Sequence, residues 1–189
     1  MNISLLILLW IVALIALIYG LWNMIPALTG LPWIPTDEDR IRKALEMAQL
    51  RPGEIVYDLG AGDGRVLIIA AREYGAQAVG IEASPLQWFF AWIKVLHSGS
   101  KPKVRVRLGN LFRTNLREAD VVFAYMTSKQ ADRLRPLLEE QLRPGARVVT
   151  ISFDLGDWQP TAFDNDELIF LYEMPPKPGG LAAYLAKQD

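Results

Sequence analysis

Residues 56–65 read Val-Tyr-Asp-Leu-Gly-Ala-Gly-Asp-Gly-Arg, an apolar run that leads into three glycines at alternate positions. Such a run predicts a β-strand followed by a tight turn whose bare backbone can approach a ligand closely. A dinucleotide-binding turn reads G-x-G-x-x-G, but here Gly64 comes one residue too early for that spacing. Asp58 stands two residues before the first glycine, Gly60, where its carboxylate can take up an ammonium group. The alternative is a glycine-rich turn that binds nothing.

The pattern acid-x-Gly-x-Gly-x-Gly at the end of a first strand resembles motif I of class I S-adenosylmethionine (SAM) methyltransferases. This resemblance implies that SAM is the cofactor. It also implies that the loop holding the cofactor consists of Asp58, Gly60, Ala61, Gly62 and Gly64.

Two later strand ends complete the predicted cofactor site. Glu82 ends the second predicted strand, about 20 residues after the glycine loop, and an acid there can bind both ribose hydroxyls. After the third strand, Asn110 can hydrogen-bond the adenine edge and Leu111 can pack on the ring. Ligands of open α/β sheets bind beyond the carboxyl ends of the strands, where these residues meet. Glu82 would repel a 2′-phosphate, which disfavours NADP.

Strands and helices alternate through residues 36–189, which predicts an α/β fold with a doubly wound, mostly parallel, seven-stranded Rossmann-like sheet. The predicted strands span residues 54–59, 78–82, 104–108, 120–125 and 146–153, and residues 168–173 and 182–186 are predicted to form a final hairpin. The predicted helices span residues 37–50 (with Thr36 opening a capping box), 64–75, 84–97 (with Ser84 as its cap and Pro85 at its first position) and 128–142 (kinked or restarted at Pro136).

The N-terminal segment predicts a membrane anchor. Residues 3–22 are nearly all apolar and carry no charge, and about 20 such residues span a bilayer as a helix. A cleaved signal peptide is the alternative, but it would want a basic start and a small-x-small cleavage site. We therefore predict a transmembrane anchor (1–24), a proline-rich linker (25–35) and a methyltransferase domain (36–189). The first basic residues follow the span, which predicts a cytoplasmic catalytic domain.

Composition excludes several kinds of chemistry. The net charge of −1 gives no reason to expect nucleic acid as the main partner. The absence of cysteine rules out disulfides, thiolate metal sites and cysteine nucleophiles. The only histidine, His97, is predicted to be a solvated residue near a helix end rather than a base. No metal site is predicted.

Two segments leave alternatives open. Basic residues alternate with apolar ones around the third strand, as on an edge strand protected against pairing or on a face that contacts anionic lipid. The aromatic residues 88–90 and 92 are predicted to lie in the core, and the alternative is that part of this surface contacts the bilayer. The basic residues are Lys101, Lys103, Arg105 and Arg107.

Beyond motif I, residues 40–158 resemble one small family. It includes archaeal broad-specificity protein-lysine methyltransferases and the mitochondrial enzymes that methylate ATP synthase c-subunit and adenine nucleotide translocase, which also have an apolar N-terminal segment. The similarity is carried by residues 57–65, 80–85, 109–112, 119–123, 142–149 and 157–158. It implies a membrane-anchored protein-lysine N-methyltransferase acting on a membrane or membrane-proximal protein, such as a small membrane protein.

The acceptor side departs from other amino methyltransferases. Many carry Asn/Asp-Pro-Pro-Tyr after strand four, whereas residues 124–127 read Ala-Tyr-Met-Thr, which disfavours adenine-N6 and glutamine methylation and fits the lysine family. Tyr125 is the leading candidate to line the acceptor channel, or else it only packs. Thr127, Ser128 and Trp158 are weaker candidates. The alternative functions are methylation of a lipid headgroup or quinone and a non-catalytic, methyltransferase-like membrane assembly factor.

Overall fold

The computed structural model describes residues 2–29, 35–100 and 103–187, with the side chains of residues 21–29 excepted. The chain divides into two compact units, residues 1–34 and 35–189. In the first unit, helix α1 (Ile3–Thr29) contains an 18-residue window, Ile3–Gly20, that is long and apolar enough to cross a membrane, and none of that window is buried. Residues 25–29, predicted as linker, continue this helix, because one proline removes only one of its backbone hydrogen bonds. Residues 30–34 lie outside the described part.

The second unit is built on a seven-stranded sheet. Its strands are β1 (Ile55–Leu59), β2 (Gln77–Glu82), β3 (Val104–Leu108), β4 (Val121–Tyr125), β5 (Arg147–Ile151), β7 (Ala162–Asp164) and β8 (Ile169–Glu173). A separate two-stranded ribbon pairs β6 (Trp158–Gln159) with β9 (Lys177–Pro178). The main sheet has the order β3-β2-β1-β4-β5-β8-β7. Its first five strands in this order are parallel to one another, and β8 runs antiparallel to its neighbour β5. The predicted mostly parallel, doubly wound sheet is therefore confirmed.

Helices connect these strands. They are α2 (Glu38–Met47), α3 (Arg65–Glu73), α4 (Pro85–His97), α5 (Ser128–Gln141) and α6 (Gly180–Leu185). The strand order reverses between β1 and β4, so a crevice opens beyond the carboxyl ends of these two strands, as in other doubly wound sheets. This position places the end of the 56–65 stretch at the crevice.

Helix starts follow the sequence in part. Ser84 caps α4 and Pro85 is its first residue, as predicted. The predicted cap of α2 is wrong by one residue. Asp37 rather than Thr36 accepts the hydrogen bond from the Asp39 backbone N–H, at 2.8 Å. Helix α5 runs continuously through Pro136.

The predicted C-terminal hairpin is wrong. Residues 180–185 form α6, and β8 pairs instead with β5 and β7. Strand β8 buries Ile169, Phe170 and Tyr172, and the rings of Phe163 and Phe170 stack at 4.6 Å. Burial of this apolar strand inside the sheet outweighs the local pairing that the proline- and glycine-containing segment suggested.

The predicted core position of the aromatic helix is also wrong for three of its four aromatic residues. Phe89, Phe90 and Trp92 are 41–45% exposed, and α4 turns the small Ala91 together with Val95 toward the interior. Strand β3 lies at the edge of the sheet beside β2, as predicted. Of the basic residues around it, Lys101 lies outside the described part of the chain.

Gly80 lets α3 pack closely on β2. A Cβ atom at this position would lie 2.5 Å from Leu67 Cδ1 and 2.7 Å from the Ala61 Cβ, both closer than real contacts allow. Gly80 pairs with Asp58 in the sheet register, and Ala61 belongs to the glycine loop, so this close contact lies at the base of the loop.

We expect Gly80→Ala to lower the free energy of unfolding by about 1–3 kcal/mol, because a side chain added to a packed core displaces its neighbours. Gly109→Ala is the matched control, since no described atom lies within 4 Å of a Cβ built there. Urea denaturation of the full chain in detergent measures both variants. Equal losses would contradict the packing role of Gly80.

Candidate active site

The glycine loop is held against the end of β2 by its own backbone. The N–H groups of Gly60 and Ala61 both donate to the Ile81 carbonyl, at 2.9 and 3.0 Å. Gly60 has φ +102°, a conformation that side chains disfavour, and no described atom lies within 4 Å of a Cβ built on it. Gly60 therefore presents bare backbone to open space at the switch point of the sheet, whereas Ala61, Gly62 and Gly64 are buried.

Asp58 is a buried carboxylic acid with no internal partner. It is 3% exposed, and among the described residues its carboxyl group accepts no hydrogen bond and forms no ion pair. Burial, followed by the negative charges of Glu82 and Asp63, raises the pKa of Asp58 from 3.8 to about 8. A group in this position gains most from a ligand that brings a positive charge.

Glu82 fixes the loop from the second strand. One of its carboxylate oxygens accepts from the Gly62 N–H and the other from the Ser84 N–H, both at 2.8 Å. Each carboxylate oxygen can accept a further hydrogen bond. Glu82 thus shapes the loop and still has lone pairs for hydroxyl donors.

Asp63, which no sequence pattern indicates as a site residue, forms ion pairs with Arg65 and Lys94 beside the glycine loop. Although burial opposes ionisation, hydrogen bonds from Arg65 and Lys94 hold the pKa of Asp63 at about 2. The Lys94 Nζ lies 2.6 Å from the carboxylate and Arg65 Nη2 lies 2.8 Å from it. Arg65 Nη1 also donates to the Thr36 carbonyl at 2.8 Å. The ionised Asp63 therefore ties α3, α4 and the segment before α2 together around the loop.

The end of β3 brings Asn110 and Leu111 to the same edge. The Gly109 N–H donates to the Glu82 carbonyl at 2.8 Å, which joins the ends of β2 and β3. Asn110 is exposed, and its Oδ1 accepts from the Phe112 N–H at 2.9 Å. Its amide nitrogen makes no hydrogen bond within the described residues, and the Leu111 side chain is buried beside it. The amide nitrogen is thus available to a ligand.

A second cluster covers the ends of β4 and β5. The guanidinium of Arg40, on α2, lies 5.8 Å from the ring centroid of the half-buried Tyr125. Arg40 also donates to Ser152 Oγ at 3.0 Å and to the Glu167 carbonyl, and its Nε lies 3.4 Å from the Glu167 carboxylate. Ser152 has φ +66°, a strained conformation for this residue, and its N–H donates to the Leu168 carbonyl at 2.9 Å. No sequence pattern links Arg40 to residues more than 80 positions away, so only the fold reveals this cluster.

Two of the three weaker acceptor candidates, Trp158 and Thr127, make hydrogen bonds within the fold. The Trp158 side chain is buried edge-on against Tyr172, and its Nε1 donates to Glu139 at 3.0 Å. Thr127 caps α5, where its N–H donates to the Gln130 side chain at 3.2 Å. Ser128 begins that helix and is exposed.

The fold and this crevice define a class I SAM-dependent methyltransferase. Residues 58–162 match the family of the ANTKMT methyltransferase domain. The chain is 36% identical over 130 residues to a protein-lysine N-methyltransferase of Saccharolobus islandicus, and the match covers 68% of this chain and 81% of that protein. It is 30% identical over 130 residues to a Xenopus laevis lysine N-methyltransferase named for the ATP synthase c-subunit, with 69% of this chain and 57% of that one covered.

A solved structure, an RNA methyltransferase from Salinibacter ruber in complex with S-adenosylhomocysteine, has a TM-score of 0.73 and 38% identity, covering 75% of this chain and 94% of that one. Because the family match spans more than half of the chain, the protein belongs to the ANTKMT methyltransferase domain family. It is a SAM-dependent methyltransferase. An unpaired buried acid beside an open glycine loop is the chemistry that the ammonium of SAM requires, so the residues fit the cofactor.

We expect SAM affinity to peak near pH 8. Below that pH the ligand must ionise Asp58, whose pKa is about 8, so affinity falls about tenfold for each pH unit. Above it, an α-amino group with a pKa of about 7.7–8.0 loses its own proton. Isothermal titration of the full chain in detergent between pH 6 and 9 measures this profile.

Asp58→Asn should bind SAM weakly and lose the acidic limb of that profile. Asp157→Asn is the control, since its side chain is 96% exposed and pairs with Arg135 at the surface; it should behave as the parent does. An acidic limb that persists in Asp58→Asn would show that another group controls binding.

Proposed function

We propose that the protein is a membrane-anchored protein-lysine N-methyltransferase whose substrate is a membrane or membrane-proximal protein. The observation that carries the methyltransferase chemistry is Asp58, an unpaired buried acid beside the open glycine loop. The lysine acceptor is supported by the names of the archaeal and Xenopus relatives. The membrane location is supported by the apolar window of α1 and by the basic residues that follow it, which favour a cytoplasmic catalytic domain.

We assign cofactor binding to the first three strand ends. Asp58 would hold the ammonium group of SAM, and the backbone of Gly60, Ala61, Gly62 and Gly64 would approach its amino-acid portion. In the sheet, the ends of β2 and β3 add the remaining contacts: Glu82 would accept from the ribose hydroxyls, Asn110 would bond the adenine edge, and Leu111 would pack on the ring.

We assign acceptor positioning to Tyr125 and Arg40. Bound SAM supplies a methyl group on a sulfonium; transfer forms the nitrogen–carbon bond while the sulfur keeps the electron pair of the carbon–sulfur bond. The attacking lysine must be neutral. Arg40 lies over Tyr125 and pairs with the Glu167 carboxylate at 3.4 Å, so its role is to position this cluster. Removal of the incoming lysine from water beside the Tyr125 ring lowers the pKa of that lysine, and the proton leaves to water. Alignment of the amine by the Tyr125 ring supplies the remaining acceleration.

The acceptor is tested by incubating tritiated SAM with the enzyme and membranes from a strain that lacks its gene. Label in a small protein, released as methyl-lysine on hydrolysis, is the expected result. Label extracted into organic solvent would assign a lipid headgroup or quinone instead. Alkaline carbonate extraction and N-terminal sequencing of the membrane fraction test the anchor, and a processed N-terminus would show a signal peptide.

RNA is the competing acceptor class, because a solved relative with 38% identity is named an RNA methyltransferase. The same incubation with total RNA distinguishes the two. Label that is sensitive to ribonuclease and resistant to protease would overturn the lysine assignment.

We expect Arg40→Gln to lower kcat about tenfold, since it removes the contacts of Arg40 with Tyr125, Ser152 and Glu167 that hold the ends of β4 and β5 in place for the acceptor. Arg42→Gln is the matched control on the same helix, because the ion pairs of Arg42 are made at the surface with Glu38, Asp39 and Glu73. An unchanged kcat in Arg40→Gln, or an equal loss in Arg42→Gln, would contradict the positioning role of Arg40.

A further inference from the structure

The outer face of α4 carries large apolar side chains that stay partly exposed in the described part of the chain. Phe89, Trp92 and Leu96 follow one another at helical spacing on one face and are 45%, 41% and 43% exposed. The rings of Phe89 and Trp92 stack at 6.3 Å. The side of the helix that meets the sheet carries Ala91 and Val95, which are buried. The helix therefore packs against the core with its smaller side chains, and its bulky aromatic side chains point outward.

The neighbouring edge strand extends this apolar surface. A groove of about 240 Å³ lies between α4 and β3, with a mainly aliphatic lining. Leu108, at the end of β3, is 51% exposed. The groove is lined by Trp92, Val95, Leu96, Val104, Arg105 and Val106. An apolar helix face and an apolar groove thus form one continuous surface, which we call the α4–β3 face.

The charge around the α4–β3 face is strongly one-sided. Residues 83–117 contain seven of the 20 Lys and Arg residues and none of the 21 Asp and Glu residues, so the rest of the chain carries a net charge of −8. Lys94 is neutralised by Asp63. Arg105 and Arg107 are exposed and form no ion pair within the described residues. Arg105 lines the groove and Arg107 lies two residues further along the same edge strand, so β3 brings uncompensated positive charge to the border of the apolar surface.

These properties match a bilayer with anionic headgroups. Aromatic and aliphatic side chains enter the boundary between headgroups and acyl chains, while basic side chains remain at headgroup level. A second copy of the same face would bring two positive surfaces together. The inference rests on the proposed membrane anchor, since α1 would hold this domain beside a bilayer through the eight residues that separate it from α2.

We infer that the α4–β3 face docks on the surface of an anionic lipid bilayer. Docking would present the catalytic crevice to the bilayer in one orientation, which suits a substrate lysine near the membrane surface. The sequence is free of cysteine, so single-cysteine labelling of the full chain can measure this orientation directly.

The experiment places a nitroxide at Leu96→Cys in the full chain, reconstituted in nanodiscs of phosphatidylcholine with or without phosphatidylglycerol. The matched control is Asn165→Cys, an exposed position in the turn between β7 and β8 at the opposite edge of the sheet. In anionic nanodiscs we expect the label at position 96 to gain accessibility to oxygen and lose accessibility to a water-soluble nickel relaxant. The label at position 165 should stay aqueous.

Charge reversal tests the basic component. Each basic residue near an anionic surface favours the docked state about fivefold, so Arg105→Glu with Arg107→Glu should lower the ratio of docked to undocked label about 30-fold or more. Phe89→Ser with Trp92→Ser should also release the label. SAM binding by each variant verifies that it is folded.

The outcomes separate the inference from the proposed function. Protein that elutes with the nanodiscs but keeps an aqueous label at position 96 would overturn docking and leave the anchor intact. Protein that does not elute with the nanodiscs would overturn the anchor. Spin–spin broadening between labels would assign the face to a second copy, and protection that appears only with added RNA would assign it to nucleic acid.

Discussion

A carboxylic acid buried at the end of β1, with no partner among the described residues, is the constraint around which the site is organised. Strand pairing on both sides holds Asp58 in place, opposite Gly80 on β2 and Phe123 on β4. The protein bears the cost of burying this group and so keeps it protonated in the free state near neutral pH. A positively charged ligand removes that cost, so cofactor binding at Asp58, as proposed, would be coupled to ionisation of a single buried group.

The charges around Asp58 have separate functions. Asp63 is neutralised by Arg65 and Lys94 and joins three elements of the fold, whereas Glu82 uses its oxygens to hold the loop backbone. The cation of the opposite cluster, Arg40, lies over Tyr125 at the ends of β4 and β5. In the free protein Asp58 is protonated and Asp63 is neutralised, so among these three acids only Glu82 keeps an uncompensated negative charge. The charge of Arg40 beside Tyr125 is compensated by Glu167.

Local patterns predicted the parts of the fold that depend on neighbouring residues. The apolar strand and alternate glycines at 56–65 predicted the first strand and its loop, and Ser84-Pro85 predicted the start of α4. The prediction of a final hairpin was wrong because β8 pairs with β5 and β7. The burial of Phe170 and Tyr172 in that sheet outweighs the preference of the adjoining turn for local strand pairing. The aromatic residues of α4 were placed in the core because hydrophobicity alone does not tell which face of a helix meets the sheet.

By itself, the sequence determined the class of fold, the order of its strands and helices up to β5, and the family, since each follows from short segments whose backbone demands are local. Only the tertiary structure decided the ionisation of Asp58, the pairing of Asp63, and the position of Arg40 over Tyr125. Those properties depend on burial and on distances between residues that are far apart in the chain. It also decided that the bulky face of α4 points outward, because packing against a sheet selects the face with the small side chains.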